Sequence, residues 1–260
     1  MKKILKYTFF ELLRSKWIYA YFGFYFVFTF ALLLLNPNPS KVILSLMNIV
    51  LILSPLIASI FGIMYYYNSK DFANLLLAQP IKRIHIFWGQ YLGLALSLSL
   101  SLLLGICIPF FFASVFDLAL AKSFFTLLSI SVFLTFIFSA LAFFIGLKNE
   151  NRIKGFAISI GIWLFFAVVY DGIFLLSLLL FEDYPLEGFS IAASLFNPID
   201  LSRILLLLEL DISALMGYTG AVFQKFFGNG WGILASISVL GLWVILPAWG
   251  IRHLALRKDF

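Results

Sequence analysis

The chain has 260 residues, of which 63% are hydrophobic and only 12% charged, with a mean hydropathy of +1.07. Soluble domains carry about a quarter charged residues, so this composition excludes a soluble globular protein and indicates an integral membrane protein. The net charge of +6 reads as a loop bias that orients a membrane protein, not as a nucleic-acid footprint.

Met1–Lys16, MKKILKYTFFELLRSK, repeats Leu5, Phe9, Leu12 and Leu13 at helical spacing, with Lys2, Lys3, Lys6 and Arg14 around them. Residues 1–16 therefore read as a basic amphipathic helix at the inner membrane face, with a plain positive flank as the simpler alternative. A helix needs about 20 apolar residues to cross the hydrocarbon core. Six runs qualify, at 17–35, 42–67, 88–116, 123–147, 155–181 and 231–251. The first has no small-residue cleavage pattern and reads as a retained helix. Of the 18 Lys and Arg residues, only Lys41, Lys122, Arg203 and Lys225 fall in the loops assigned outside. This bias puts both termini in the cytoplasm.

Between the second and third runs lies a loop, 68–87, that is polar at its start and amphipathic. Phe72, Leu75, Leu76 and Leu77 make one side of a short helix over Asp71–Gln79. Ser69 and Asp71 stand at its start, where an acceptor and a negative charge are favoured, and Pro80 ends it. Lys82, Arg83 and His85 follow. Such a segment suits docking of a soluble partner, or a plain membrane-surface helix. In the third run Gly93, Ser97, Ser101 and Gly105 recur every four residues. That stripe of small side chains lets another helix approach closely, within the chain or across a pore or dimer interface. Pro55, Pro109 and Pro247 fall in or near spans and are tolerated there as kinks. Cys107, the single cysteine, sits mid-span in an apolar setting.

Asp171 is the one acid inside a predicted span. It must face protein or a water-filled space, since a charge at helix centre costs about 2.5–3.5 kcal/mol on insertion scales. It is a candidate for the transport route, or for an interhelical hydrogen bond to Tyr170 or a serine. Residues 182–230 form the long outer segment, with six acids against Arg203 and Lys225. Its apolar runs, Asn197–Leu210 and Ala214–Gly228, are too short to span and suit re-entrant or interfacial helices shielded by protein. Asn197-Pro198-x-Asp200 reads as a turn into a helix.

No CxxC, MxxM or HxxxH spacing occurs, so no metal site is expected in the chain. Neither HExxH, GxSxG nor GxxxxGK[ST] is present, so no catalytic residues are expected and ATP hydrolysis would fall to another subunit. A stand-alone intramembrane enzyme using Asp171 would need a second aspartate, and no other span supplies one.

DFANLLLAQPIKRIHIFWGQYLGL closely resembles the first cytoplasmic loop of ABC-2 type transporter permeases, with the match strongest over Leu75–Leu94. The resemblance implies an all-α polytopic membrane protein of the ABC-2 type (type V) exporter fold. Such a protein has six transmembrane helices, an N-terminal interfacial helix, a cytoplasmic coupling helix and outer re-entrant or interfacial helices. It also implies a homodimer in the lipid of a bacterial inner membrane, serving two cytoplasmic ABC ATPase subunits that bind ATP and Mg. By position the ATPase contacts would be Asp71, Phe72, Leu76, Gln79, Lys82 and Arg83. One departure is Asn74, where the family carries Glu. NPIDLSRI and LMGYTGAVF in the outer segment resemble the branch of the family that serves copper-centre maturation of nitrous oxide reductase. That branch implies a periplasmic β-helix partner and a copper chaperone. The contacting residues, or the residues of a lid sealing the outer end, would be Asn197, Asp200, Arg203, Met216, Gly217, Tyr218 and Thr219. Export of another cargo (lipid, polysaccharide or drug) and force transmission without transport fit the same residues.

Overall fold

The computed structural model describes residues 1–113, 118–181, 187–210, 223–226 and 230–257. The named helices are α1 (Lys2–Leu13), α2 (Lys16–Leu35), α3 (Pro39–Asn68), α4 (Lys70–Leu77), α5 (Arg83–Phe112), α6 (Leu118–Lys148) and α7 (Arg152–Leu164). A π turn, Phe165–Val169, joins α7 to α8 (Tyr170–Leu180). Then come α9 (Glu187–Phe196), α10 (Pro198–Glu209) and α11 (Gly230–Arg257). No strand occurs among the described residues. Six helices are long and apolar enough to cross a membrane: α2, α3, α5, α6, the α7–π–α8 rod and α11. The chain is a multi-pass, all-helical membrane protein. Met1, α4 and the turn at Asn149–Asn151 lie at one end, called here the basic end.

Helix starts follow local chemistry. Asn38 precedes Pro39 and its side chain accepts from Ser40 N at 3.0 Å. Asn151 accepts from Ile153 N at 2.9 Å and Lys154 N at 3.2 Å, which starts α7. Each side-chain oxygen satisfies donors that the first helical turn leaves without intrahelical partners. Pro55, Pro109 and Pro247 lie inside α3, α5 and α11.

The small-residue stripe of α5 is a seam within the chain. A side chain on Gly89 would strike Ile4, on Gly93 Thr8 and Leu5 O, and on Gly105 Tyr25 and Phe22 O. Between these positions Ser97 Oγ donates to Phe9 O at 3.3 Å and Ser101 Oγ to Ile18 O at 3.0 Å. Rising residue numbers meet rising residue numbers, so α1 and then α2 run parallel to α5. The line that α1 buries is Ile4, Thr8 and Leu12, with Leu5, Phe9 and Leu13 half-buried beside it. The contact line is thus one residue away from the apolar stripe, because Thr8 rather than a larger side chain fits against Gly93.

A second seam joins α3 to α6. Gly62 lies against Ala142 and Ser139, Ser54 and Thr135 share a hydrogen bond at 3.3 Å, and the Tyr66 ring covers Gly146. Helices meet this closely in lipid because packing, not water exclusion, drives their association. At the basic end Tyr67 Oη donates to Asn149 O at 2.8 Å and Asn151 O at 3.2 Å, tying the α6–α7 turn to α3.

Candidate functional site

Two polar regions stand out, one at the basic end and one inside the bundle. The first is α4, separated from α3 by Ser69 alone. Ser69 does not cap α4; its hydroxyl donates backward to Tyr66 O at 3.3 Å. Asp71 sits in the first turn, where its charge suits the helix dipole. The helix stops at Leu77, short of Gln79, and Ala78–Pro80 turn the chain into α5.

Packing fixes which face of α4 is free. Phe72 stacks on Tyr7 of α1 with ring centroids 5.2 Å apart, and Ala73 is buried. Leu76 and Leu77 are half-buried against the core. Asp71, Asn74, Gln79, Lys82 and Arg83 are exposed, and so is Leu75, at 69%. Of the expected docking residues, Asp71, Gln79, Lys82 and Arg83 lie on the open face, while Phe72 and Leu76 face the protein. Leu75 is the apolar residue that this face presents. The apolar run placed it with Phe72 and Leu76, and the Tyr7 contact and the buried Ala73 separate the two sides. α1 is in turn tied to the end of α3: Tyr65 Oη donates to Glu11 Oε2 at 3.1 Å and lies 3.2 Å from Thr8 Oγ1.

The second region is the elbow between α9 and α10, which meet at 116°. Its turn residue Asn197 is fully buried. Asn197 Oδ1 accepts from Ile199 N at 3.0 Å, starting α10. Asn197 Nδ2 donates to Phe166 O in the π turn and to Asp200 Oδ2, both at 2.9 Å. Trp243 Nε1 of α11 donates to Leu195 O at 3.2 Å, and Tyr170 Oη to Ala193 O at 2.7 Å. Phe166 and Trp243 each stand halfway along their spans. At the other end of α10, Lys122 Nζ and Glu209 Oε1 pair at 2.8 Å, and Ser123 Oγ donates to Glu209 O. The elbow therefore reaches the middle of the bundle, and α10 returns to the end opposite the basic one. Most of α10 is buried, as non-spanning backbone at membrane depth must be.

The elbow completes a charged cluster. Arg203 Nη1 of α10 donates to Asp171 Oδ2 of α8 at 2.9 Å and to Asp200 Oδ1 at 3.0 Å. Arg203 thus holds the two carboxyl groups beside one another. Asp171 Oδ1 is buried with no hydrogen-bond partner among the described residues. With both acids ionised, one guanidinium leaves one negative charge, and a single proton makes the cluster neutral. Asp171 makes an interhelical bond, and its partner is Arg203 rather than Tyr170 or a serine. The elbow also brings a second aspartate to Asp171 within one chain. In that pair one guanidinium nitrogen binds both carboxylates.

Asn197, Asp200 and Arg203 are thus brought together with Asp171, whereas Met216, Gly217, Tyr218 and Thr219 lie outside the described residues. α4 forms a separate region at the basic end. Among the described residues no group of three His, Cys, Asp or Glu side chains is placed to hold a metal.

No protein-family profile matches the chain. Curated proteins do. A "probable ABC transporter permease protein NosY" of Pseudomonas aeruginosa is 27% identical over 222 residues, covering 82% of this chain and 76% of that protein. A protein of the same name from Stutzerimonas stutzeri is 27% identical over 219 residues, covering 80% of this chain and 74% of that protein. Along most of its length the chain is similar to ABC transporter permeases such as NosY, and its six membrane-length helices are consistent with a multi-pass permease.

Proposed function

We propose that this chain is the permease subunit of an ABC transporter that assembles copper centres of nitrous oxide reductase. It works as a homodimer in a bacterial inner membrane, with its basic end and both termini in the cytoplasm. Two ATPase subunits, which carry the ATP and Mg, dock on the open face of α4 around Leu75, Gln79 and Lys82. At the periplasmic end a β-helix partner, with a copper chaperone, takes up the movement. The similarity to two proteins named NosY is the observation that carries this reading.

The geometry supports a mechanical route. α4 follows α3 after one residue and stacks on α1, and both α1 and α2 lie along α5. A push on α4 therefore moves packed helices rather than a slack loop. α3 also holds the π-containing rod through Trp163 Nε1 to Ile52 O at 3.0 Å and Ser159 Oγ to Ser59 O at 3.4 Å. The rod holds the elbow through Asp171–Arg203 and Phe166–Asn197. A π turn is a frequent marker of function in helices, and here it sits where the elbow attaches. Asp171, Asp200 and Arg203 act as a latch between the rod and the outer segment, opened or held according to the ATPase state. An intramembrane charge cluster is retained at a cost, which is the physical ground for giving it this role.

The test is copper loading of nitrous oxide reductase in the chain's own cell after deletion of its gene. Copper content should fall, return with the wild-type chain, and stay low with Leu75→Asp. Unchanged copper content, or a cell that makes no nitrous oxide reductase, would overturn the reading.

A further inference from the structure

At the end opposite the basic one, α6, α10 and α11 enclose a groove of about 630 Å³. This is within the range of about 300–1,000 Å³ typical of ligand sites. Its floor is apolar and buried, made by Ile130, Leu205 and Leu240. Its mouth is apolar and open, made by Phe125 at 60% exposure and Ile237 at 45%, on faces of membrane-length helices. One rim is charged: Lys122 and Glu209, paired at 2.8 Å, with Lys122 itself 71% exposed.

Close packing is the rule in protein interiors, and gaps forfeit dispersion contacts on every wall. The floor side chains Ile130, Leu205 and Leu240 offer water no hydrogen-bond partner, while Thr126 and Ser129 line the wall above them. Among the described residues nothing covers Phe125 and Ile237, so in a membrane this mouth is open to lipid. From the groove we infer a binding site for one phospholipid, with an acyl chain along Ile130, Leu205 and Leu240 and the headgroup at Lys122 and Glu209. The rim offers one positive and one negative charge side by side. That pair complements a zwitterionic headgroup, with phosphate at Lys122 and the ammonium of ethanolamine at Glu209. An anionic headgroup would meet Glu209 without a cation of its own. The occupant is therefore phosphatidylethanolamine. It would fasten the returning end of α10 to α6 and α11. This site is independent of the proposed copper-maturation role.

The experiment is native mass spectrometry of the full chain, released from bilayers holding equal phosphatidylethanolamine and phosphatidylglycerol. Wild type should retain phosphatidylethanolamine, one per chain. Ile237→Trp, at an already exposed position, should fill the mouth and lower retention about tenfold, equivalent to about 1.4 kcal/mol. Lys122→Glu should lower it similarly. Leu246→Trp, on an exposed part of α11 away from the groove, should retain it as wild type does. No retained lipid, equal retention of both lipids, or equal retention by Ile237→Trp and Leu246→Trp would each overturn the assignment.

Discussion

Arg203 bonds two carboxylates on two different helices through one nitrogen, so the cost of removing it is asymmetric. Arg203→Leu leaves two adjacent acids at mid-bundle depth without a cation. It should lower stability by about 1–3 kcal/mol, less than for a fully buried pair because Arg203 and Asp171 are part-exposed, read from unfolding in mixed micelles. Asp171→Asn leaves Asp200 and Arg203 balanced and should cost far less. Adding Asp171→Asn and Asp200→Asn to Arg203→Leu should recover most of the loss; a triple variant as unstable as Arg203→Leu would remove charge pairing as the cause. Asn197→Ala loses the α10 cap and the bond to Phe166 O, and should cost about 1–2 kcal/mol in the same assay. Asp171 was legible in the sequence as an acid in a span, and Asn197 as a helix start. Their meeting was not, because a pairing across 32 residues follows from where the elbow enters the bundle and leaves no local pattern.

At the scale of elements, the α5 stripe shows what spacing tells and what it leaves open. Gly93, Ser97, Ser101 and Gly105 announce a close helix neighbour, but the same stripe would serve a pore or a dimer. Contacts with Thr8, Phe9, Ile18 and Tyr25 assign it to α1 and α2. Gly93→Leu should therefore loosen α1 and lower stability by about 1–3 kcal/mol through overpacking. Protease cleavage within the first 16 residues should rise with it, and unchanged cleavage would contradict the seam. α4 gives the opposite lesson. Its amphipathic character was legible, yet Phe72, Leu75, Leu76 and Leu77 are too many apolar residues for one face of an eight-residue helix. Which of them points outward is decided by the Tyr7 stack and the buried Ala73.

For the whole molecule, hydropathy made the six membrane-length helices legible, because the bilayer fixes helix length. The order in which helices pack was not legible, since lipid-facing and protein-facing surfaces are equally apolar. The inward return of α10 was hinted at by the short apolar run Asn197–Leu210 and the turn at its start. The central claim is that the chain is a permease that receives an ATPase on α4. Affinity purification of the chain from its own membranes tests it most directly, comparing wild type with Leu75→Asp at equal membrane abundance. An ABC ATPase should accompany wild type and be depleted at least about tenfold with Leu75→Asp, a loss of about 1.4 kcal/mol or more. Recovery of no ATPase with wild type, or of equal amounts with both, would contradict the account.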